Sequence, residues 1–385
     1  MILINTLGIQ DSGGITVLVK LLDECMHDKS NNYLIVCGDN KNIKILHKKY
    51  QDIKYFIFKF FNAESLLNRL YIENVIFIRL IRVHRVNLIY NFSGSAQFFL
   101  KIPQLAKLHD LSFFSKKTDD AYFSKGQYFK WLKQVFFKRL IFRSMINRSD
   151  YIETQSSHVQ SYVENFVNIS SKPLFVKSDI NVDKSSFQTP KKIDFAKTVK
   201  FFYIVGPHFE SIHKNFEVFV RAMTDLKEED FDFEIIITLT KEQLYSSNLW
   251  NRSLDICTNF LGYASQQELV ENFQNNTVLV STSIIETLGL HVIEAIQNGV
   301  LVIVPNERYS LDVYGSDTLT YEIFNHDTLV KVIKDLKFQN SDKIRKIVRK
   351  NQNFLKNSEK SKLQNIVEVF NVILKKRYNN RNLSE

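Results

Sequence analysis

Residues 277–306 read TVLVSTSIIETLGLHVIEAIQNGVLVIVPN, and this stretch decides the fold. It begins with an apolar run, passes through a turn and an amphipathic segment, and ends in a second apolar run. Short continuous apolar runs are typical of strands that are covered on both faces. Two such strands joined by a helix form a right-handed unit of a parallel sheet. The stretch therefore predicts an α/β fold.

Strand-like runs with helical patterns between them recur along the whole chain, for example MILINT, NYLIVCGD, VKFFYIVG and FEIIITLT. A polar stretch around 182–198, which contains Pro190, separates two series of them. We therefore predict two Rossmann-like doubly wound domains, residues 1–185 and 195–360, that face a central cleft. A C-terminal helix and basic tail, 361–385, is expected to pack back toward the N-terminal domain.

The composition narrows the class of protein. The chain has 385 residues, of which 44% are hydrophobic and 24% charged, as in globular proteins. Its three cysteines (Cys25, Cys37 and Cys257) have neither paired nor C-x-x-C spacing, so the sequence encodes no disulfide framework and no zinc site. The N-terminal MILINTL lacks the basic region of a signal peptide, and no window has the roughly 18 apolar residues of a membrane span. A cytoplasmic protein is predicted.

The net charge of +10 indicates an anionic partner. Residues 121–149 carry seven Lys or Arg residues, eight aromatic residues and no acidic residue. A basic amphipathic helix suits an anionic leaflet, so this segment predicts peripheral attachment to the inner face of the cell membrane. The alternative is a basic face that is merely solvated. Nucleic acid is not an expected partner, because the sequence contains no RNA-binding or DNA-binding module.

Two candidate binding elements occur in the first half of the chain. Gly13 and Gly14 follow the first predicted strand and precede an apolar-periodic helix, whose N-terminus is open to an anion. The turn has neither the G-x-G-x-x-G nor the P-loop pattern, so a purely structural role stays open. The segment KLHD places His109 just past a strand, where it is either a hydrogen-bond donor to a substrate or a packed loop residue.

The second half of the chain carries a cation and two carboxylates at helix starts. Lys214 and Asn215 stand where a helix begins, and a lysine there suits a diphosphate. Glu286 lies in the turn before a helix that starts near 288–290, and Glu294 lies about one turn inside it. Glutamates at this spacing are usually solvated charges. Here Glu286 precedes the helix. The alternative to solvated charges is therefore a binding site, in which backbone N–H groups hold a phosphate and the two carboxylates accept hydrogen bonds from hydroxyl groups.

Residues 260–306 resemble the nucleotide-binding half of retaining GT-B glycosyltransferases of glycosyltransferase family 4. Glu286 and Glu294 match the E-x7-E signature of that family. The HKN segment around Lys214 resembles its phosphate-binding lysine segment, the Gly13-Gly14 turn its first loop, and KLHD its histidine loop. These motifs run over most of the chain in a fixed order, and together they identify an N-terminal acceptor domain and a C-terminal nucleotide-sugar domain.

The resemblance also implies roles for individual residues. Glu294 would bind the ribose hydroxyls, Glu286 the donor sugar, and Lys214 the diphosphate. The implied nucleotide-sugar-binding residues are Gly13, Gly14, Lys214, Asn215, Glu286, Leu288, Gly289, Leu290 and Glu294, and the implied catalytic residues are Glu286, His109 and Lys214. The implied reaction is retaining transfer from a nucleoside-diphosphate sugar to a saccharide or lipid-linked acceptor in surface polysaccharide or glycolipid synthesis. No metal or cofactor is implied.

The sequence departs from the family at one phosphate-binding position. Gly206-Pro207 stands where many relatives have Gly-Arg, so the second phosphate cation is missing or replaced. A non-catalytic nucleotide-sugar-binding protein is therefore the alternative function. A metal-dependent GT-A enzyme is the other rival, because Asp230-Phe231-Asp232 has the D-x-D pattern. That motif precedes its strand instead of following it, which puts the carboxylates at the wrong edge of the sheet.

Overall fold

The chain is represented by a computed structural model that describes residues 1–9, 12–93, 96–98, 100–108, 112–167, 172–177, 187–358 and 365–382. It divides into two compact units. The first comprises Met1–Phe114, Phe136–Asp179 and Ser361–Glu385. The second comprises Ser115–Val135 and Ile180–Lys360. Each unit has its own parallel sheet, so each is a domain with its own core.

The elements follow one another in chain order as strands and helices. The strands are β1 (Ile2–Thr6), β2 (Tyr33–Gly38), β3 (Phe56–Phe61), β4 (Leu88–Asn91), β5 (Gln104–Leu108), β6 (Tyr151–Thr154), β7 (Leu174–Val176), β8 (Val199–Tyr203), β9 (Phe233–Ile237), β10 (Thr258–Phe260), β11 (Thr277–Val280), β12 (Leu301–Pro305) and β13 (Leu319–Tyr321). The helices are α1 (Ser12–Met26), α2 (Lys41–Tyr50), α3 (Leu66–Tyr71), α4 (Phe77–His84), α5 (Lys116–Ser124), α6 (Tyr128–Trp131), α7 (Phe137–Arg148), α8 (Ser157–Glu164), α9 (Phe216–Glu228), α10 (Lys241–Tyr245), α11 (Gln266–Glu271), α12 (Leu290–Gln297), α13 (Arg308–Tyr314), α14 (His326–Lys337), α15 (Ser341–Ser358) and α16 (Ile366–Asn382). Short π-helical segments, Ile72–Ile76 and Leu132–Phe136, join α3 to α4 and α6 to α7.

Both sheets are parallel and share one strand order. The first runs β3-β2-β1-β4-β5-β6-β7, and the second runs β10-β9-β8-β11-β12-β13. In each sheet the order reverses beside the unit's first strand, which is the doubly wound Rossmann pattern. The prediction of two Rossmann-like doubly wound domains is therefore confirmed. The reversal lies between β1 and β4 in the first unit and between β8 and β11 in the second.

The apolar runs of the sequence become strands because helices cover both faces of each sheet. Every residue of β1, β2, β11 and β12 is buried. Burying a side chain of this size stabilises the fold by about 1.5–3 kcal/mol. Local signals then place the helices. Thr240 with Gln243, and Ser265 with Glu268, form capping boxes that fix where α10 and α11 begin.

The C-terminal helix α16 belongs to the core of the first unit. Val369, Phe370 and Ile373 are fully buried in the same apolar cluster as residues of β1, β2 and α1. The Phe370 ring packs edge-on against Tyr90 of β4, with 5.3 Å between ring centroids. The last helix of the chain therefore covers the sheet that the first residues of the chain begin. No helix in the described part of the chain is both long and apolar enough to cross a lipid bilayer.

Residues 115–135 are grouped with the second unit, although the sequence places them inside the predicted domain 1–185. Helix α5 packs against the 3-10 turn at Ile212–Lys214. Lys125 Nζ lies 2.6 Å from Glu217 Oε2, and Lys117 forms an ion pair with Glu307. These partners are distant in sequence, and no local pattern reports them.

Candidate functional site

The predicted site residues of the second unit lie at the carboxyl ends of two neighbouring strands. β8 and β11 pair in parallel with Phe202 opposite Leu279, so the loops after them leave the sheet side by side. This is the reversal point of the strand order, where open α/β sheets bind their ligands. The loop after β8 leads through the turn Ile212–Lys214 to α9, and the loop after β11 leads to α12.

Hydrogen bonds join these two loops into one structure. Thr282 Oγ1 donates to the Lys214 carbonyl oxygen over 2.8 Å, and the Ile284 N–H donates to the His213 carbonyl oxygen over 2.7 Å. The Tyr203 hydroxyl lies 2.7 Å from Thr282 Oγ1 and extends the network into the core. The backbone around Lys214 is therefore fixed relative to the loop that carries Glu286.

Lys214 and Glu286 form an ion pair at this edge of the sheet. Lys214 Nζ lies 2.7 Å from Glu286 Oε1, and both side chains are partly buried. Burial opposes ionisation of Glu286, but the charges of Lys214 and His291, with hydrogen bonds from Lys214 and Ser283, outweigh it, and the pKa of Glu286 falls to about 2. Burial also lowers the pKa of the neighbouring His291 to about 4, although Glu286 acts in the opposite direction. His291 is therefore neutral at pH 7, and Lys214 supplies the positive charge beside Glu286.

Asn215 begins α9 in a left-handed conformation, with φ 50° and ψ 37°. Asparagine tolerates this conformation better than other residues with a Cβ, which explains its place after Lys214. Its side-chain amide nitrogen is buried and makes no hydrogen bond to any described residue. A buried donor without an acceptor is costly, so a ligand oxygen would be favourable here.

Gly289 begins α12, also in a left-handed conformation, with φ +56°. A Cβ added to Gly289 would lie 2.0 Å from the Tyr314 hydroxyl oxygen, so only glycine fits. Leu288 is buried before it, and Leu290 is the first residue of the helix. The first N–H groups of a helix have no partner within the helix and attract anions. The turn therefore presents an anion-binding end beside the Lys214–Glu286 pair.

Glu294 lies one turn into α12. Burial raises the pKa of its carboxyl group above the ordinary value. Gln266 Nε2 of α11 donates to Glu294 Oε1 over 3.3 Å. Among the described side chains the carboxylate has this one long hydrogen bond, and it retains capacity to accept further hydrogen bonds from hydroxyl groups.

The structure brings together Lys214, Asn215, Glu286, Leu288, Gly289, Leu290 and Glu294 at one edge of the second sheet. Gly13 and Gly14 lie in the first turn of α1, after β1, at the reversal point of the first sheet. His109 lies outside the described residues. Asp232 of the D-x-D segment precedes β9 and accepts a hydrogen bond from Thr198 Oγ1 over 2.9 Å, at the opposite edge of the sheet.

Sequence reasoning missed a set of tyrosines behind the site. The Tyr309 hydroxyl donates to the Ser283 carbonyl oxygen over 2.5 Å, and the Tyr321 hydroxyl donates to that of Ser281 over 3.4 Å. With Tyr203, they anchor the loop after β11 from below. These residues are scattered along the sequence and share no spacing, so no sequence signal would have found them.

Comparison with known proteins gives a family-model match for part of the chain and similar folds for the whole of it. Residues 186–354 match the family model described as Glycosyl transferases group 1. No curated protein sequence matches the chain. Sucrose-phosphate synthase from Thermosynechococcus elongatus is similar in structure, with a TM-score of 0.65, 14% identity, and coverage of 100% of this chain and 99% of that chain.

Two further solved structures are similar over most of their length. A glycosyltransferase from Rickettsia africae ESF-5 has a TM-score of 0.59 and 14% identity, and the match covers 98% of this chain and 96% of that chain. WaaG, a glycosyltransferase involved in lipopolysaccharide biosynthesis, has a TM-score of 0.60 and 11% identity, with 94% and 96% covered. At these identities the likeness concerns the fold, which is that of the GT-B glycosyltransferases.

Proposed function

Because residues 186–354 match the family model of glycosyl transferases group 1, we propose that this chain is a retaining, metal-independent glycosyltransferase. Its donor is a nucleoside-diphosphate sugar, and its acceptor is a saccharide, either free or lipid-linked. The observation that carries the proposal is the Lys214–Glu286 ion pair, 2.7 Å long, beside the N-terminus of α12. A cation, an anion-binding helix end and an ionised carboxylate are what a sugar diphosphate requires.

Each of these groups has a task in the transfer. The bond between the anomeric carbon and the diphosphate breaks as a bond to the acceptor oxygen forms, so negative charge develops on the diphosphate, and the departing diphosphate takes up the proton of the acceptor hydroxyl. Lys214 and the N–H groups that begin α12 stabilise this charge, which is the largest contribution in many enzymes. Glu286 stays ionised and accepts hydrogen bonds from the donor sugar. Glu294 accepts them from the ribose.

The class of acceptor is proposed from the comparisons. WaaG acts in lipopolysaccharide biosynthesis, which supports a role for this chain in the synthesis of a surface polysaccharide or glycolipid. The second candidate function is nucleotide-sugar binding without catalysis. Gly206-Pro207 favours it, because no arginine stands there to share the charge of the diphosphate.

The proposal predicts that a nucleotide sugar stabilises the protein and that loss of Glu294 weakens its binding. In a thermal-shift screen of UDP-, GDP- and dTDP-sugars, a ligand at 100 times its Kd adds about 2.7 kcal/mol of stability. Glu294→Ala is expected to raise the Kd of that ligand about tenfold to a hundredfold, because hydrogen bonds to a charged group contribute about 1.5–3 kcal/mol. Calorimetric titration measures the change.

Glu271→Ala is the matched control. Glu271 of α11 is also bonded to a glutamine, with Gln267 Nε2 at 2.9 Å, but it does not lie on α12. Glu271→Ala should leave the Kd of the nucleotide sugar unchanged. No stabilisation by any nucleotide sugar would contradict the proposal. Stabilisation without transfer or hydrolysis of the donor would favour the non-catalytic function.

We further propose that the first unit docks on an anionic bilayer. The predicted basic segment 121–149 is divided by the structure, because its first half belongs to the second unit and α7 to the first. Phe137 of α7 is 53% exposed, and Lys138 and Arg143 of the same helix are also exposed. Apolar side chains beside cations suit a bilayer surface with negative charge.

A second helix of the first unit supports this docking surface. On the continuous α3–α4 helix, Leu67 is 78% and Val83 67% exposed, and Arg79 and Arg82 are exposed among them. Both helices contact Phe98. The Phe98 N–H donates to Asn74 Oδ1 over 2.9 Å, and the Arg148 guanidinium lies 3.4 Å from the Phe98 ring centroid. The two helices therefore flank one loop of the first unit.

Charge reversal on α4 should release the protein from vesicles. The wild type is expected to sediment with vesicles that contain phosphatidylserine, and Arg79→Glu/Arg82→Glu to stay in solution, because each cation contributes about 1 kcal/mol at an anionic surface. Lys343→Glu/Lys346→Glu, on exposed positions of α15, makes the same charge change in the second unit and should still sediment. Equal binding of wild type to neutral and anionic vesicles would contradict docking of this kind.

A further inference from the structure

A group of buried tyrosines lies beneath the loop that carries Glu286. The hydroxyls of Tyr203 and Tyr309 each have a hydrogen-bond partner in that loop, at 2.7 Å and 2.5 Å respectively. These two bonds hold the loop against the sheet. Tyr203 and Tyr309 therefore have hydroxyl groups with hydrogen-bond partners, and Tyr314 differs from them in this respect.

Tyr314, at the end of α13, is only 1% exposed, and its hydroxyl makes no hydrogen bond to any described residue. A buried polar group without a partner costs about 1–3 kcal/mol relative to one that has a partner. Phenylalanine would fill the same space without this cost. The presence of tyrosine therefore indicates that the hydroxyl gains a partner in another state of the protein.

The position of the hydroxyl identifies the partner. It lies directly under the turn from Glu286 to Gly289, because a Cβ on Gly289 would meet its oxygen at 2.0 Å and the Glu286 Cβ at 3.7 Å. Burial, and then the charge of the Glu286 carboxylate, raise the pKa of Tyr314, so the hydroxyl keeps its proton, and this O–H needs an acceptor. Glu286 is the ionised acceptor beside this turn.

Lys214 now donates to Glu286, and a diphosphate would compete for the same ammonium group. We propose that Tyr314 is a positioning residue. Its hydroxyl donates a hydrogen bond to the Glu286 carboxylate once Lys214 turns to the diphosphate of a bound nucleotide sugar. This inference rests on the proposed function. It gives Glu286 a replacement hydrogen bond at the step where the carboxylate must stay ionised and oriented toward the donor sugar.

Tyr314→Phe tests the inference, with Tyr309→Phe as the matched control. Without ligand, Tyr314→Phe should keep or raise the Tm, because it removes a hydroxyl that has no partner, whereas Tyr309→Phe should lower it. With a nucleotide sugar, Tyr314→Phe is expected to lower kcat about tenfold or more and to change KM for the donor less than about threefold. The acid limb of its kcat profile should move to higher pH, because loss of a donor raises the pKa of a carboxylate.

The outcomes separate this inference from the proposed function. If no nucleotide sugar stabilises or reacts with the wild type, the proposed function fails and the inference fails with it. If the wild type turns over a donor but Tyr314→Phe has the same kcat and pH profile, only the role of Tyr314 is overturned. A fall in the Tm of unliganded Tyr314→Phe equal to that of Tyr309→Phe would also overturn it, because the hydroxyl would then have a structural partner.

Discussion

Lys214→Ala is expected to lower kcat/KM for the nucleotide sugar by about a thousandfold, equivalent to about 4 kcal/mol. Lys214 is the largest of the charges that lower the pKa of Glu286, and at pH 7, where His291 is neutral, it is the cation beside that carboxylate. Its removal leaves a partly buried carboxylate without its ammonium partner, and it also removes the cation that would balance the departing diphosphate. Steady-state kinetics with the donor that gives the largest thermal shift measure the loss.

Two further variants show whether charge at this place is the cause. Lys214→Arg keeps the charge and should recover part of the activity. Lys200→Ala removes another partly exposed lysine of the second unit, whose Nζ lies 3.9 Å from Glu234 Oε2, and should leave kcat/KM within about threefold of wild type. If Lys214→Ala remains within tenfold of wild type, the Lys214–Glu286 pair is not the centre of the reaction.

Gly289→Ala is expected to destabilise the protein by about 2–5 kcal/mol and to abolish nucleotide binding. A residue with a Cβ costs about 1–2 kcal/mol in a left-handed conformation. Here the methyl group would also lie 2.0 Å from the Tyr314 oxygen and 3.2 Å from its ring carbon, and overpacking costs about 1–3 kcal/mol more. Any relief of the overlap displaces the start of α12. Denaturant unfolding measures the stability.

Gly126→Ala separates conformation from overlap. Gly126 has φ +63°, and no described atom lies within 4 Å of a Cβ built there, so only the conformational cost of about 1–2 kcal/mol applies. Adding Tyr314→Phe to Gly289→Ala should restore part of the stability, because the nearest atom in the overlap is removed. Equal losses in the two alanine variants would contradict the packing described around Tyr314.

The fold was predictable because its signals are local. Continuous apolar runs such as the one at 300–305 identify strands, and strands alternating with helices imply parallel sheets of the doubly wound kind. The second-unit part of the site was predictable for a related reason. Lys214 and Glu286 each lie in the connection between a strand and the next long helix, and parallel strands end at the same edge, so these connections had to lie near that edge.

The contacts that no local pattern encodes were not predictable. Tyr309 and Tyr314 reach the loop after β11 from another helix, and nothing in their own neighbourhood indicates where a hydroxyl group will lie. The assignment of 115–135 to the second unit depends on ion pairs such as Lys125–Glu217, whose partners are far apart in sequence. Such contacts arise from packing, which composition and periodicity do not report.

The position of α16 has a consequence for how the chain is made. A ribosome releases the strands of the first unit early, but the helix that covers their apolar face follows only after the whole stretch 180–360 of the second unit. Until Phe370 emerges, one face of that sheet, including Tyr33 and Tyr90, has no cover from this helix. Domains generally fold N-terminal first during synthesis, and uncovered apolar surface promotes aggregation. The first unit is therefore completed only after the second unit has been synthesised, and its uncovered apolar surface is open to aggregation during that interval.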